Sequence, residues 1–256
     1  MTTPVSPQRG PTDAVKAVAL LRRWKQNEPG PHPYLGTCFA FRWQNRYITA
    51  AHCLQGIPDD EIAIESGPAR GFESTVGPIH RHPTADVAVI ESSGIAPADA
   101  PIDPFQQIGN REGLGEEFYA FGYPVDVLGP DSTVPTPRLF KGYFQRFLPP
   151  YKTAYSGYTY SAAELSFACP GGLSGGPIFR TMDFSAVLGV ATENLQSTTT
   201  LDAVEELSIG GAPQRRTEYR QVISYGTALM LADVADWIDE HVPQNPKGIV
   251  GSVMLS

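Results

Sequence analysis

Three cysteines in 256 residues, Cys38, Cys53 and Cys169, are too few to make a disulfide framework, so the fold must rest on a buried core. No stretch approaches the roughly 18 consecutive apolar residues of a membrane span. The N-terminus, Met1 to Pro11, is polar and proline-containing and lacks the apolar run of a secretory signal. The expected home is therefore the cytoplasm, with no membrane partner and with the thiols reduced. Basic runs are missing too. Against 27 Asp and Glu stand 19 Lys and Arg, a net charge of −8, so nucleic acid is not an expected partner. His80 and His82 lie two apart with no companion cluster and read as a solvated strand end, and no metal or other cofactor is expected.

Glycine and proline, by contrast, are plentiful. The 25 Gly and 24 Pro are spread along the chain, a pattern of many short strands and turns rather than long helices. With 41% hydrophobic residues, the chain can bury a sizeable core as one two-lobed domain or as two small ones. Its most concentrated signal is Pro170-Gly171-Gly172-Leu173-Ser174-Gly175-Gly176-Pro177. One hydroxyl stands among four glycines, whose backbone can reach φ > 0 and approach a ligand without a Cβ in the way. A serine that attacks a carbonyl needs such a setting, because N–H groups around it must point at the oxygen that turns negative. A plain Gly-Pro turn between two strands would fit this octapeptide equally well.

Two further stretches separate those readings. Thr49-Ala50-Ala51-His52-Cys53 follows an apolar run, and Ala85-Asp86-Val87-Ala88-Val89-Ile90 opens another. Together with the glycine-rich octapeptide, in the chain order His, Asp, Ser, they resemble the trypsin/chymotrypsin-like serine proteases over roughly Gly36 to His241. The resemblance implies an all-β fold of two antiparallel six-stranded β-barrels with a C-terminal α-helix. It implies Ser174 as nucleophile, His52 as general base and Asp86 as the carboxylate that fixes the histidine tautomer. The chemistry asks for those types: a serine hydroxyl is a poor nucleophile at neutral pH, a base with pKa near 7 must take its proton, and an ionised carboxylate stabilises the imidazolium. Singly, His52 reads as a core histidine and Asp86 and Ser174 as turn residues. Three matching contexts in order favour the triad.

The resemblance also assigns the oxyanion hole to the N–H groups of Gly172 and Ser174, and the pocket for the residue before the cleaved bond to Ala168, Cys169, Thr192, Glu193, Asn194 and Gly226. Leu173 departs from the zymogen-activated pattern, which carries an aspartate there to pair with a freshly cut N-terminus. The hole is thus expected to be preformed or set by an activating partner protein, as in the HtrA-like bacterial branch, which Ala120-Phe121-Gly122-Tyr123-Pro124 also resembles. Ala168 stands where trypsin-like members place an acid, so a neutral, small to medium side chain is the expected preference, although Glu193 offers a charge for a basic one. Cys169 reads as a pocket-wall thiol, with no other histidine placed to serve it. In the resembled family a cysteine beside the histidine often pairs with one on the preceding strand, near the places of Cys53 and Cys38. The expected partner is a protein or peptide substrate.

Along the chain, residues 1–12 read as a tail, 13–105 as the first lobe with His52 and Asp86, 106–231 as the second with Ser174, and 232–256 as a terminal helix and tail. Thr12 to Lys25 fits helical spacing through Ala14, Ala17, Val18, Leu21 and Trp24, and alternation through Val15, Ala17, Ala19 and Leu21; the family resemblance favours a strand. Strands are expected at Thr37–Arg42, Tyr47–Thr49, Glu61–Glu65, Ser74–His80, Asp86–Glu91, Glu117–Gly122, Arg138–Phe147, Glu164–Ala168, Ile178–Arg180, Ala186–Thr192 and Gln221–Leu231. Leu148 to Tyr160, with Pro149, Pro150 and four tyrosines, reads as a loop, and Gln196 to Arg220 as a solvated insertion or regulatory loop. Leu231, Val234, Ala235, Ile238 and Val242 recur at helical spacing, with Asp233 as a cap and Pro243 as a stop.

Two other functions compete. Gly172-Leu173-Ser174-Gly175-Gly176 satisfies the G-x-S-x-G nucleophile elbow of α/β-hydrolases, but that fold needs its histidine after the serine, only His241 qualifies, and alternating strand and helix runs are lacking. A trypsin-like fold could also serve as a binding or scaffold module with a dormant site. Retention of all three triad residues argues against it.

Overall fold

The computed structural model describes residues 16–24, 33–66, 72–93, 104–110, 113–124, 136–153, 156–180, 183–207 and 213–244. Six strands, β1 (Val18–Arg23), β2 (Tyr34–Ala40), β3 (Arg46–Thr49), β4 (Ile62–Ser66), β5 (Phe72–Arg81) and β6 (Ala88–Ser92), close into a barrel in the order β1-β2-β3-β6-β5-β4. Every pairing in it is antiparallel. A second sheet follows with β7 (Gln107–Ile108), β8 (Glu117–Gly122), β9 (Arg138–Lys152), β10 (Thr159–Leu165), β11 (Pro177–Arg180), β12 (Asp183–Leu207) and β13 (Pro213–Met230). Pairing of β11 with both β8 and β12 closes β8 to β13 into a ring of six, while short β7 adds parallel to β12 outside it. Two barrels are the architecture expected from the motifs, with β7 as the one parallel addition.

β1 shows why its segment was ambiguous. Ala17, Val18, Ala19, Leu20 and Leu21 are all buried, and a run that is apolar throughout fits helical and alternating spacing alike. One apolar core joins β1 to Phe121, Tyr123, Phe179 and Leu229 of the second sheet, and the Tyr123 hydroxyl donates to the Val18 carbonyl. A 3₁₀ turn, Leu231–Val234, leads into α1 (Ala235–His241), which lays Ile238 and Val242 on that core. Arg42 holds the helix end down by donating to the Val242 carbonyl and pairing with Asp239. Among the described residues no helix is long and apolar enough to cross a membrane.

Three local expectations fail, each for a physical reason. The stretch from Leu148 to Tyr160 is mostly strand, because β9 continues through Pro149 and Pro150 to Lys152. Its register against β10 slips between Tyr160↔Tyr151 and Ala162↔Leu148, so both prolines sit at a bulge where the ladder does not need their missing N–H. In the stretch from Gln196 to Arg220 the described residues are strand as well: β12 and β13 pair as a long arm from Gln196↔Ser224 to Leu207↔Pro213, with 208–212 outside the described residues. Alternation marks a strand only where one face packs on a core, and a hairpin that leaves its barrel has no such constraint. Asp233 does not cap α1, whose N-cap is Val234 without a side-chain bond, because the chain enters the helix through the 3₁₀ turn that contains Asp233.

Candidate active site

β3 and β6 pair antiparallel with Thr49 opposite Ala88, so the residues just after one strand and just before the other meet. Those residues are His52, in the 3₁₀ turn Ala51–Leu54, and Asp86. Asp86 is fully buried, with Oδ2 at 2.7 Å from His52 Nδ1 and Oδ1 accepting from the His52 N–H at 2.8 Å. Both carboxylate oxygens thus fix one residue. A carboxylate at Nδ1 requires a proton there, which leaves the Nε2 lone pair free to act as a base. The approach to Asp86 is itself held, since His82 Nδ1 accepts from the N–H groups of Ala85 (2.8 Å) and Thr84 (3.2 Å).

Burial opposes a charged His52, but the Cys53 sulfur, 3.8 Å from Nε2, and the Asp86 carboxylate outweigh it and hold the imidazole pKa well above its ordinary value. All three cysteines, Cys38, Cys53 and Cys169, are free and buried. Burial raises the Cys38 thiol, and burial lifts Cys169 to about 12, so Cys169 is a neutral wall group at physiological pH.

Ser174 follows a tight turn. The Leu173 N–H donates to the Pro170 carbonyl, and Gly172 has φ +88° while Gly171 is not in the positive-φ region. Negative then positive φ at the two central residues makes this a type II turn, which differs from type I by a reversal of the Gly171–Gly172 peptide plane. Gly175 has φ +85°, and a Cβ there would lie 2.0 Å from the Thr37 carbonyl oxygen, so the run Ser174-Gly175-Gly176 is set by how closely the first barrel presses on it.

Thr37 of β2 is the point of contact. Its N–H donates to the Ser174 carbonyl (2.8 Å), its hydroxyl donates to the Gly172 carbonyl (2.7 Å), and that hydroxyl accepts from the Tyr123 N–H (3.1 Å). This residue from the first barrel therefore fixes the serine turn of the second. Nothing in the sequence marked it.

Ser174 and His52 lie in one cleft of about 890 Å³, flanked by Tyr34, Leu35 and Ile57 of the first barrel and by Thr192 to Gln196 of β12. The Ser174 hydroxyl donates to the Thr192 carbonyl (2.7 Å) rather than to His52. Cys169, Glu193 and Asn194 line the cleft with them, whereas Ala168 is exposed and, like Gly226, does not. The reason is a bridge. Asn194 accepts from the Cys169 N–H (2.7 Å) and donates to the Cys169 carbonyl (2.8 Å), spanning the space between β12 and the segment before the serine. Gly226 lies opposite Asn194 in the β12–β13 ladder, and a Cβ on it would fall 2.5 Å from Cys169 Sγ. Glu193 has its carboxyl pKa raised by burial and by Asp86, and its Oε2 is buried without a hydrogen-bond partner.

The sequence matches the family model for the trypsin-like peptidase domain over residues 36–190, more than half of the chain. The chain belongs to that family. It is a trypsin-like serine protease. Among solved structures, the active form of the Rv3671c protease from M. tuberculosis is similar at TM-score 0.59 and 17% identity, covering 97% of this chain and 95% of that one. The MamO protease domain from Magnetospirillum magneticum is similar at TM-score 0.57 and 14% identity, with 88% and 97% covered. The HtrA-type protease AlgW matches at TM-score 0.56 and 18% identity, covering 90% of this chain and 66% of that one. At such identities these likenesses speak for the fold alone. A search of curated proteins returns no match. In this trypsin-like protease the elements that carry His52, Asp86 and Ser174 all fall inside the matched span, while most of the β12–β13 arm lies beyond it.

Proposed function

We propose that the chain is an endopeptidase that cleaves through Ser174, His52 and Asp86 by way of an acyl-enzyme. The observation that carries this reading is the His52 imidazole, bonded at Nδ1 to buried Asp86, facing the cleft that also holds the Ser174 hydroxyl. Rotation about the Ser174 Cα–Cβ bond turns the hydroxyl from Thr192 toward Nε2. As Oγ attacks the peptide carbonyl, Nε2 takes its proton, and the imidazolium then protonates the leaving amine. Water, deprotonated by the same nitrogen, releases the acyl half. The N–H groups of Gly172 and Ser174 receive the oxyanion, and removing one such donor typically costs about 100- to 1,000-fold in rate.

The type II turn and its Thr37 clasp support a hole that is formed without a partner. Leu173, fully buried where an activating ion pair would need a carboxylate, supports the absence of activation by N-terminal cleavage. The Asn194 bridge supports a small, neutral residue before the cleaved bond. Selectivity, rather than a closed hole, then restrains the enzyme: purified chain is expected to leave unrelated denatured proteins intact.

One observation favours the dormant binding module instead, namely that Ser174 is bonded to Thr192 and not to His52. A fluorophosphonate probe decides between the two. Labelling of the native chain that is lost in Ser174→Ala and His52→Ala is the expected result. A folded native chain that resists the probe would establish the dormant module.

A further inference from the structure

Asp86 is carried by the loop from His82 to Val87, between β5 and β6, and the main chain of that loop closes on itself. The His82 N–H donates to the Val87 carbonyl (3.0 Å), and the Val87 N–H donates to the Ala85 carbonyl (2.9 Å), a γ-turn with Asp86 at its centre. Pro83 has no N–H, so Thr84 and Ala85 supply the only main-chain donors between His82 and Asp86. Both end on one atom, His82 Nδ1, at 3.2 and 2.8 Å. Ala85 is buried, where an N–H without an acceptor is costly. Two distant elements steady this arrangement: the Thr159 N–H of β10 donates to the Thr84 carbonyl (2.8 Å), and the Trp237 ring of α1 meets the His82 imidazole edge-on with centroids 5.1 Å apart.

We propose that His82 is a positioning residue for the reaction: through the Thr84 and Ala85 N–H groups, its Nδ1 lone pair sets the turn that aims the Asp86 carboxylate at His52. This rests on the Ser174, His52, Asp86 reading. A nitrogen that accepts two N–H groups cannot carry a proton, so the ring is the Nε2–H tautomer and does this work only while neutral. Burial, and then the charge of His241 on α1, hold the His82 pKa below its ordinary value and so keep it in that form. The other charges nearby are already engaged. Arg81 of β5 pairs with Asp59, and His80 of β5 meets Glu91 of β6 at 3.4 Å and the His241 ring at 4.7 Å. Tyr158 of the second barrel, pushed up by burial and by Asp86, stays neutral. Asp86 commits one oxygen to His52 Nδ1 and the other to the His52 N–H, so a shift of the loop disturbs both bonds. A misplacement of about 1 Å can cost about 100-fold in rate.

The rate at which a fluorophosphonate labels Ser174, followed against pH, tests this. His52 and His82 must both be neutral, so for the native chain the logarithm of the rate is expected to fall with slope one as His52 is protonated, and with slope two below about pH 6.5, where His82 follows. His82→Asn keeps an acceptor for the two N–H groups, as an Asx turn does, and does not titrate. It is expected to label within about threefold of the native rate at about pH 8 and to hold slope one throughout. His82→Leu keeps bulk against Trp237 but removes the acceptor, and is expected to label roughly 10- to 100-fold more slowly. A second readout needs no turnover: on the Ser174→Ala background, the His52 Nδ1 proton, far downfield in the NMR spectrum when shared with a carboxylate, should persist in His82→Asn and be lost in His82→Leu. If the native chain resists the probe while that proton still responds to His82, the nucleophile reading fails and the positioning of Asp86 stands. Slope one in the native chain, or a His82→Leu protein with native labelling and an unmoved His52 proton, would overturn the proposal. Should His82→Leu not fold, the slopes of the native chain and of His82→Asn decide.

Discussion

On the proposed reading of the Asn194 bridge as the pocket's limit, Asn194→Gly is expected to admit larger residues before the cleaved bond. The wild-type side chain crosses the cleft with two hydrogen bonds to the main chain of Cys169, at 2.7 and 2.8 Å, and so occupies the space where a long side chain before the cleaved bond would lie. Glycine removes the bridge and adds no atom. A leucine carries three more carbons than alanine, and at about 0.8 kcal/mol per buried methylene it would gain roughly 2.4 kcal/mol in the opened pocket. That is about 50-fold in the ratio of kcat/KM for leucine over alanine substrates. Losing two hydrogen bonds costs about 1–2 kcal/mol of stability, moderated because the freed Cys169 groups face cleft water. The assay uses tetrapeptide aminocoumarins that differ only at the last residue, with a thermal melt to show that the variant is folded. A leucine-to-alanine ratio that moves less than about threefold, or a wild-type chain that already prefers leucine, would refute the bridge as the determinant.

His52 must be neutral to act as base and its pKa is held above 6.5, so kcat/KM is expected to rise with pH through a midpoint above that value, and Cys53→Ala, which removes part of what holds it up, should move the midpoint down. Stability runs the other way: the His52 contribution is fully present below about pH 6.5 and fades as pH rises through the raised folded-state pKa. A midpoint unchanged in Cys53→Ala would remove the sulfur from this account. Thr37→Val leaves the Gly172 carbonyl and the Tyr123 N–H without the hydroxyl they share, and is expected to lower kcat by roughly 10- to 100-fold with KM little changed, since the oxyanion donors serve the transition state. Thr37→Ser should restore most of it; equal losses in kcat and KM, or none, would show Thr37 to be an ordinary barrel residue.

The three motifs were legible because each candidate residue is placed by its immediate neighbours: His52 by a short turn after β3, Asp86 by the lead into β6, Ser174 by glycines that tolerate the press of Thr37. What the sequence did not reveal depends on partners far along the chain. Thr37 meets Gly172 across 135 positions, and no local pattern can announce such a contact. Asn194 was placed beside the pocket by resemblance, but its bridge to Cys169 depends on the facing of two segments and not on spacing. Proline misled at Pro149 and Pro150, where a bulge excuses the missing donors, and polarity misled in the β12–β13 arm, where pairing continues with no core to impose a period.

The grip of Thr37 on the serine turn has a consequence for the newborn chain. The Ser174 hydroxyl comes from the half that leaves the ribosome last, and the setting of its turn is finished only when Thr37 of the earlier half docks against it. Neither half alone carries both His52 and Ser174, which line the one cleft. A polypeptide still being made therefore lacks this cleft until both barrels have formed and met.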